Sequence, residues 1–427
     1  MIDTWYHITT MTTYRLRDDI TDTDRDVLQA YPDIVQRLLV ARNITSSDEA
    51  ERFVSPDYER DTHDPFLFTD MDKAVERICT AVDNNEHISI YSDFDADGVP
   101  GAVVLFDFFT MIEHEHVDVY IPHRHDEGFG VHIEAVDELA DRGAQLIITI
   151  DCGIVDHAAT ERAKERGVDM IITDHHEPNG SLPTAVAVID PKRADCAYPD
   201  KDLCGSGVIF KVVQALLAHR DWGIKAGREK WLLDMVGLAT CADMVPLRGE
   251  NRALAHYGLV VLRKSRRPGI HAMCRALNMK QAYMTEDDIG FMIAPRINAA
   301  SRMGVSMDAF SFLAETDRDK ADVAYKHIHE TNEKRKGLVA SMVKTIHEKV
   351  RHKKAGVPVI VSGSSDWRPS LLGLVANKLV EEYRKPVFLW GRDGSDVLKG
   401  SCRSDGSVHL VDLMKQAEDT FVAYGGH

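Results

Sequence analysis

Short apolar segments alternate with helical ones from residue 87 onward, and this alternation limits the fold more than any other feature of the chain. Strands that are apolar along almost their whole length, with helices between them, are typical of a parallel sheet covered on both faces. The sequence therefore predicts an α/β domain. We predict helices at about 100–112, 132–142 and 154–166, and strands at HISIY (87–91), VDVYIP (117–122), QLIITI (145–150), DMIIT (169–173) and AVAVI (185–189).

A second, smaller α/β unit is predicted after a long helix. A helical stretch at roughly 206–264 comes first, and the segment 318–354 then has apolar residues at helical spacing. A helix of that length would extend about 50 Å at 1.5 Å per residue, which is enough to connect two domains. The smaller unit is indicated by VPVIVSG (357–363), a helix at 369–383, PVFLW (386–390) and LKGSCRS (398–404).

Composition argues against several classes of protein. No apolar stretch approaches the roughly 18 residues of a membrane-spanning helix, and the first residues lack the basic-then-apolar pattern of a signal peptide. The seven cysteines contain no CxxC pair, which favours reduced thiols in a cytoplasmic protein over a zinc ribbon or a disulfide framework. The formal net charge of −17 disfavours nonspecific binding of nucleic acid unless basic residues are concentrated on one surface.

The stretch SDFDADG (92–98) places three carboxylates at alternate positions directly after a predicted strand. Asp93, Asp95 and Asp97 would lie on a strand-to-helix turn, where Gly98 permits a tight bend. Negative charges this close together repel one another unless a cation is bound. The turn is therefore a candidate cation site.

Further carboxylates and two histidines follow at the ends of other predicted elements. Ligands of parallel sheets gather at the carboxyl ends of the strands, so Asp93, Asp151 and Asp174 should share one crevice. Carboxylates combined with imidazoles suit Mn²⁺ or Mg²⁺ better than zinc, and this many ligands suit two ions better than one. The additional ligands are Asp151 in IITIDCG (147–153), Asp174, His175 and His176 in IITDHHEP (171–178), and Asp243 in LATCADMVPL (238–247).

Other interpretations of the acidic turn are available. Any one of these aspartates, taken alone, is more simply a turn or a helix cap. A calcium-binding EF-hand loop has glutamate at its twelfth position, where this chain has Val104, so that interpretation fails. Haloacid-dehalogenase-type phosphatases carry D-x-D-G-T/V, which residues 95–99 satisfy. That class explains neither Asp93 nor the downstream cluster, and it stays an alternative.

The chain resembles the DHH phosphoesterase family, most closely its RecJ-like exonucleases. The resemblance is carried by the order and the intervals of four motifs: DFDADG, IDCG, DHH and ADMVP. The resemblance extends over roughly residues 85–427. GSCRS (400–404) and GGH (425–427) resemble the companion domain called DHHA1. Other matching stretches are IPHRHDEGFGV (121–131), CGSGVIFKV (204–212), PRINAASRMG (295–304) and DWRPSLLGLVANKL (366–379).

This resemblance implies a parallel-sheet DHH domain that a long helix joins to a smaller α/β DHHA1 domain. The family continues beyond the position where this chain stops, often with an OB-fold, so we expect a C-terminally incomplete DHHA1 domain. The predicted boundaries are 1–70 for an N-terminal helical and loop extension, 71–265 for the DHH catalytic domain, 266–354 for the connecting segment with its linker helix, and 355–427 for the partial DHHA1 domain.

The resemblance also implies roles for the candidate ligands. Pyrophosphatase-type family members have a histidine where this chain has Tyr91, so Asp93 would substitute for it as a ligand. His176 would contact a non-bridging phosphate oxygen, and Asp174 would orient a ligand, so that Asp151, His175, His176 and Asp174 form the implied catalytic set. One metal ion is assigned to Asp93 and Asp95, the other to Asp97, His175 and Asp243, and a bridging position to Asp151.

Substrate contacts are implied on both sides of the predicted cleft. Arg124, Arg296 and Arg302 would bind phosphates, and Asn298 would support their loop. The other wall would comprise Ser401, Arg403, Gly425, Gly426 and His427. Arg368 and Ser370 stand where RecJ-like members usually have His and Gly, and Ser301 replaces a usual Gly, so substrate contacts are expected to differ there.

The function that the resemblance implies is hydrolysis of single-stranded DNA from its 5′ end with two Mn²⁺ or Mg²⁺ ions. The products would be 5′-mononucleotides, and the processes would be DNA repair and recombination. We expect a monomer whose partners are single-stranded nucleic acid and repair or replication proteins. Two alternatives remain: a DHH phosphodiesterase acting on small nucleotides or oligonucleotides, which the acidic net charge favours, and an inactive replication scaffold, which the retained ligands disfavour.

Overall fold

The computed structural model describes residues 19–351, 358–392, 397–422 and 424. The chain forms two compact units, one ending at Asp61 and the other beginning at Thr62. Over its described residues, 19–61, the first unit contains four short helices around a small core of Leu28, Leu39, Ile44 and Ala50. These helices are α1 (Asp22–Val27), α2 (Asp33–Val40), α3 (Ser47–Val54) and α4 (Tyr58–Asp61).

The second unit contains a five-stranded parallel sheet, which confirms the predicted fold class. The strands are β1 (Ile88–Ser92), β2 (Val117–Tyr120), β3 (Leu146–Ile150), β4 (Asp169–Thr173) and β5 (Ala187–Ile189), in the order β2-β1-β3-β4-β5. The central strands β1 and β3 are buried along their whole length, as their apolar sequences require in a sheet covered on both faces.

Helices connect these strands and extend beyond them. The predicted helical stretch at 206–264 consists of three separate helices, α9 to α11. The helices up to that point are α5 (Met71–Asp83), α6 (Gly98–Met111), α7 (Ile133–Asp141), α8 (His157–Glu165), α9 (Gly205–His219), α10 (Leu233–Ala242) and α11 (Gly249–Leu262).

Five more helices lead to the second sheet. A π-helix (Ile289–Ile293) precedes α14, whose second residue is Pro295. The helices are α12 (Pro268–Ala276), α13 (Glu286–Asp288), α14 (Ala294–Met303), α15 (Met307–Ala314) and α16 (Arg318–Arg351). The long α16 matches the predicted helix, of which residues 352–354 lie outside the described part of the chain. In the described ranges, no helix combines the length and the apolarity that a bilayer-spanning segment needs.

The smaller unit predicted beyond α16 is present. Its sheet comprises β6 (Ile360–Ser364), β7 (Val387–Gly391) and β8 (Lys399–Arg403), with β6 parallel and β8 antiparallel to β7. The helix α17 (Pro369–Tyr383) follows β6, and α18 (Leu410–Lys415) follows β8. The C-terminal half of α16 and α17 share one apolar core with this sheet.

Candidate metal centre

Three aspartates follow three neighbouring strands directly. Asp93 follows β1, and Asp151 and Asp174 follow β3 and β4. Each donates its backbone N–H to the carbonyl of the last residue of the next strand in the sheet, at 3.1, 3.0 and 3.0 Å. The ladder of the sheet therefore continues through these residues and holds them at its carboxyl edge, as the sequence predicts.

The acidic turn folds tightly around Asp95. Its Oδ1 accepts hydrogen bonds from the backbone N–H groups of Asp97 (2.7 Å) and Gly98 (3.2 Å), which leaves Oδ2 for another partner. A Cβ at Gly98 would lie 2.5 Å from the carbonyl oxygen of Asp93. The turn thus requires glycine at this position because the chain returns too close for a side chain.

Helix α9 begins at the carboxylate of Asp97. The backbone N–H groups of Gly205 and Ser206 donate to its two oxygens at 2.6 and 2.8 Å, and Oγ of Ser206 donates to its backbone carbonyl at 2.6 Å. The N-terminus of a helix carries unpaired N–H groups and a partial positive charge, and both favour a bound carboxylate. A Cβ at Gly205 would lie 2.5 Å from Cβ of Asp151, so α9 also packs directly against a second aspartate.

The predicted ligands form three groups that overlap. Within each group the potential ligand atoms lie within 4.8 Å of one another. Nε2 of His175 is 3.0 Å from Oδ1 of Asp151, 3.8 Å from Oδ2 of Asp97 and 4.0 Å from Oδ2 of Asp243. Asp151 is shared by the groups Asp93–Asp95–Asp151 and Asp151–His175–His176. His175 is shared by the second of these and the group Asp97–His175–Asp243. The groups are Asp93–Asp95–Asp151, Asp97–His175–Asp243 and Asp151–His175–His176.

The donor atoms fit divalent cations that prefer oxygen and nitrogen. Oδ1 of Asp93 and Oδ1 of Asp151 are buried without a hydrogen-bond partner, although the latter is only 3.0 Å from His175 Nε2. Burial raises the pKa of the nearby thiols of Cys152 and Cys204, which keeps them protonated and unsuited to bind a metal. Unpaired carboxylate oxygens beside a neutral imidazole suit Mn²⁺ or Mg²⁺.

Burial and mutual repulsion act on these carboxyl groups together. Burial, followed by the charges of Asp97 and Asp95, raises the pKa of Asp151 well above its usual range. Burial, followed by the charge of Asp95, also raises the pKa of Asp93 well above its usual range. Burial, followed by the charge of Asp97, raises the pKa of Asp243 to about 8. Their raised pKa values mean that these carboxylates are unfavourable together as anions unless positive charge is supplied, so the centre is suited to bind cations.

His176 and Asp174 form a charged pair at the edge of the centre. Nδ1 of His176 lies 2.7 Å from Oδ1 of Asp174, whose other oxygen accepts the N–H of Ile154 at 3.0 Å. Burial opposes protonation of His176, but the hydrogen bond and charge of Asp174 outweigh it and raise the pKa of His176 to about 9. The imidazole is therefore protonated at neutral pH. Its side chain is 42% exposed, so it can reach an anionic substrate.

Arginine side chains line the space beside the acidic turn. Arg124 lies over the ring of Phe94, at 4.6 Å from the centroid. Burial, followed by the positive charges of Arg124, Arg335 and Arg403, lowers the pKa of Arg302 to about 10. In the described ranges none of these four arginines forms an ion pair, so their charges remain available to an anion.

The remaining predicted contacts divide into two kinds. Arg296 is 3% exposed, donates to the carbonyl of Met292 at 2.6 Å and lies 3.3 Å from Nδ1 of His329. It therefore packs between α14 and α16, and its phosphate contact stays a prediction. Oδ1 of Asn298 accepts the N–H of Ala96 at 3.0 Å, so this side chain links α14 to the acidic turn.

Ser401 and Arg403 lie next to each other on β8 and face α17. A Cβ at Gly373 would be 3.1 Å from a guanidinium nitrogen of Arg403 and 3.7 Å from Oγ of Ser401. The predicted contacts Gly425, Gly426 and His427 lie outside the described residues.

The departures from the usual family sequence contact the end of α14. Oγ of Ser370 donates to the carbonyl of Arg302 at 2.9 Å, and Arg368 donates to that of Met303 at 3.2 Å. The guanidinium of Arg302 in turn donates to the carbonyl of Ser370 at 2.7 Å. These bonds connect the α14 segment to α17 and thus fix the position of Arg302.

Sequence reasoning missed several residues at the centre. Gly205 and Ser206 hold Asp97, and the CGSG stretch was the available signal. The ring of Phe129, 51% exposed, lies 5.4 Å from that of His176. The charge of Lys192 acts on both His175 and Asp243, yet nothing in the sequence pattern indicated that it lies nearby.

Comparison with known proteins places this geometry in a family. Residues 87–240 match the DHH family, N-terminal domain, and residues 356–427 match the DHHA1 domain. The chain is 34% identical over 420 residues to the single-stranded-DNA-specific exonuclease RecJ of Bacillus subtilis (strain 168), covering 97% of this chain and 52% of that protein. It is 31% identical over 429 residues to the protein of the same name from Escherichia coli (strain K12), covering 97% and 74%.

A solved structure shows the same fold. The crystal structure of RecJ in complex with Mn²⁺ from Thermus thermophilus superimposes with a TM-score of 0.79 at 27% sequence identity, over 95% of this chain and 56% of that one. The chain thus spans about half the length of the Bacillus and Thermus relatives and about three quarters of the Escherichia relative.

Proposed function

The chain belongs to the DHH phosphoesterase family and, within it, to the RecJ exonucleases, and from this premise we propose that it is a metal-dependent nuclease. It hydrolyses single-stranded DNA from the 5′ end and releases 5′-mononucleotides, in the service of DNA repair and recombination. The observation that carries the proposal is the position of Asp151, a buried carboxylate that belongs to the group Asp93–Asp95–Asp151 and whose Oδ1 lies 3.0 Å from Nε2 of His175 in the group Asp97–His175–Asp243.

Two divalent cations, Mn²⁺ or Mg²⁺, would be held around this shared carboxylate. When bound, such ions activate a water molecule for attack on the phosphodiester and neutralise the charge that develops on its oxygens. The groups Asp93–Asp95–Asp151 and Asp97–His175–Asp243 offer oxygen and nitrogen ligands for them. Burial lowers the pKa of His175, which favours the neutral imidazole that binds metals. The Mn²⁺ in the Thermus relative supports the same assignment.

His176 contributes a positive charge from a protein side chain, in addition to the charge of the metal ions. It is protonated because Asp174 stabilises the imidazolium, and it lies on the open side of the centre. There it would stabilise the negative charge of the phosphate oxygens in the transition state and hold a proton within reach of the leaving oxygen. Asp174 fixes the orientation of the ring through the 2.7 Å contact with Nδ1.

The arginines beside the acidic turn would bind the 5′-terminal phosphate. Arg124 lies on the loop after β2 and Arg302 on α14, whereas Arg403 lies on β8 of the smaller sheet. A phosphate between these arginines would therefore contact both walls of the cleft. This arrangement supports a nucleic-acid substrate despite the net charge of −17, because the positive charge is concentrated beside the catalytic centre. The names of the RecJ relatives indicate single-stranded DNA as that substrate.

The decisive experiment follows a 3′-labelled, 5′-phosphorylated single strand in the presence of Mn²⁺. We expect the label to persist on progressively shorter fragments and to remain on intact DNA with His175→Ala. The variant Arg166→Ala removes ion pairs with Asp137 and Asp141 just before the start of β4, at the opposite end of that strand from the centre, and should cut as the wild type does. Intact long DNA together with rapid cleavage of dinucleotides would instead identify a small-nucleotide phosphodiesterase.

A further inference from the structure

One face of α16 is buried at positions that repeat at intervals of three and four residues. Such a repeat places its members along a single stripe of the helix. Arg335 occupies the position in this repeat between Asn332 and Val339, and it is only partly buried. The buried members of the stripe are Tyr325, Ile328, Asn332, Val339, Met342 and Ile346. Two consecutive polar residues, Asn332 and Arg335, thus interrupt a stripe that is otherwise apolar or aromatic.

The interruption lies where the stripe passes from one hydrophobic core to another. On its N-terminal side, Tyr325 packs with an aromatic ring of α15, with ring centroids 6.3 Å apart. On its C-terminal side, Val339, Met342 and Ile346 belong to the core of the smaller sheet. Asn332 and Arg335 therefore face the junction between the two cores, where Arg302 also reaches α17.

Two polar atoms at this junction have no hydrogen-bond partner among the residues that the structure describes. Oδ1 of Asn332, whose side chain is completely buried, has no hydrogen-bond partner, and neither has the buried Nε of Arg335. Across the ranges that the structure describes, Arg335 makes no hydrogen bond and no ion pair. A buried donor and acceptor without partners are costly unless a ligand or water completes them.

Glu333 and Arg296 are the charges that act on Arg335, and Arg335 in turn acts on a group of other arginines. Its charge acts on Arg302 together with the charges of Arg124 and Arg403. The guanidinium of Arg302 on α14 thus experiences the charges of three other arginines, from the loop after β2, from α16 and from β8. Such a concentration repels itself, and a bound anion relieves the repulsion. Guanidinium groups match phosphate in shape and charge, which makes a phosphate the natural ligand.

We propose that Arg335, positioned beside Asn332, binds a backbone phosphate of the single strand where the strand passes between the two cores. The long helix then forms one side of the nucleic-acid channel in addition to connecting the two sheets. This inference rests on the proposed function and names a further substrate contact. The charge of Asp95 acts on Arg124 and Arg302, whereas Glu333 and Arg296 are the charges that act on Arg335.

Binding is tested with Arg335→Gln and with Lys334→Gln, an exposed neighbour that undergoes the same change of charge. The probe is a 3′-fluorescein-labelled oligothymidylate of about 20 nucleotides, measured by anisotropy in EDTA over a range of salt concentrations. We expect Arg335→Gln to weaken binding at least about tenfold and to lower the slope of log affinity against log salt by about 0.7. Lys334→Gln should leave both nearly unchanged, and Arg335→Lys should keep the slope but lose part of the affinity.

Cleavage of a 5′-phosphorylated dinucleotide with Mn²⁺ separates this inference from the proposed function. The wild type and Lys334→Gln should cleave it at equal rates, which tests the nuclease assignment without a change at Arg335. Equal affinity and equal salt slope in wild type and Arg335→Gln would overturn the inference and leave the nuclease assignment intact. A fall in melting temperature in both Arg335 variants without any change in slope would also overturn it. A wild type that cleaves neither substrate would overturn both.

Discussion

The backbone N–H of Gly205 donates a 2.6 Å hydrogen bond to Oδ2 of Asp97, so that helix α9 begins at a candidate metal ligand. The same glycine packs against Asp151, whose Cβ would lie 2.5 Å from a Cβ at position 205. Asp151 itself has a positive φ of 62°, an uncommon conformation for a residue with a side chain. One small residue thus positions two carboxylates of the centre, and the strained backbone of Asp151 persists because its surroundings fix it.

Gly205→Ala should inactivate the protein with only modest loss of stability. The added methyl group would displace Asp151 or α9, at a cost of about 1–3 kcal/mol for overpacking. We expect a fall in the rate of DNA cleavage of about a hundredfold and weaker binding of Mn²⁺, because positions of ligands tolerate little displacement. Gly207→Ala is the matched control, since its Cβ would meet nothing closer than 3.6 Å. Equal activity of the two variants would contradict this role for Gly205.

Binding of Mn²⁺ should release protons and strengthen as pH rises. The pKa values of Asp93, Asp151 and Asp243 are all raised by burial first and by neighbouring carboxylates second, to about 8 for Asp243. A metal must displace these protons, so its apparent affinity should increase from pH 6 to about pH 8 and then level off. Calorimetric titration in buffers with different ionisation enthalpies measures the protons released. An affinity independent of pH would contradict the account.

The same shifts predict how the stability of the metal-free protein depends on pH. A carboxyl group whose pKa is raised by folding costs no stability below its unfolded pKa of about 4. The cost appears as pH rises above that value and is complete above the folded pKa, which is about 8 for Asp243. Melting temperature without metal should therefore decrease from pH 5 to pH 8, and added Mn²⁺ should raise it more at pH 8 than at pH 6. Asp243→Asn should reduce this pH dependence.

The pair formed by His176 and Asp174 should set the alkaline limit of activity. The pKa of His176 is raised to about 9, so its positive charge is present below that pH and is lost above it. Activity should accordingly decline as pH rises through about 9, and Asp174→Asn should move this decline to lower pH. We expect His176→Gln to reduce the cleavage rate by about 10²–10⁴-fold while DNA still binds. An unchanged alkaline limb in Asp174→Asn would show that Asp174 does not act through His176.

Asn298→Ala tests whether α14 supports the acidic turn. The substitution leaves the N–H of Ala96 without its 3.0 Å acceptor, which should cost about 1–3 kcal/mol of stability. Metal binding should weaken as well, because the freed turn carries three of the ligands. Ser301→Gly, which removes only a 3.2 Å bond to the carbonyl of Asn298, serves as the comparison. Unaltered melting temperature and Mn²⁺ affinity in Asn298→Ala would limit Asn298 to a substrate contact.

The sequence predicted the parallel sheet and the approach of its terminal aspartates because both follow from local pattern. Apolar strands alternating with helices leave few arrangements, and carboxyl ends of parallel strands must meet at one edge. Asp243 was also among the candidate ligands, but strand pattern did not place it at this edge, because it lies at the end of α10 and no periodicity connects that helix with the sheet.

The supporting contacts could not be predicted from pattern. Whether Gly205 donates to Asp97 or Asn298 accepts from Ala96 depends on how distant elements pack, and sequence spacing carries no such information. The polar interruption at Arg335 was visible as a charged residue in an apolar repeat. The phosphate-binding role that we propose for Arg335 depends on its effect on Arg302 and on the two cores beside it, which sequence pattern does not reveal.

We propose that Asp151 would be a ligand shared by two metal ions. The most direct measurement is the number and magnetic coupling of Mn²⁺ ions bound per chain, by calorimetric titration and electron paramagnetic resonance, in the wild type and in Asp151→Asn. If Asp151 is a ligand of both ions, we expect two coupled ions in the wild type, and fewer ions or no coupling in the variant. A single ion, or two uncoupled ions, in a fully active wild type would contradict it.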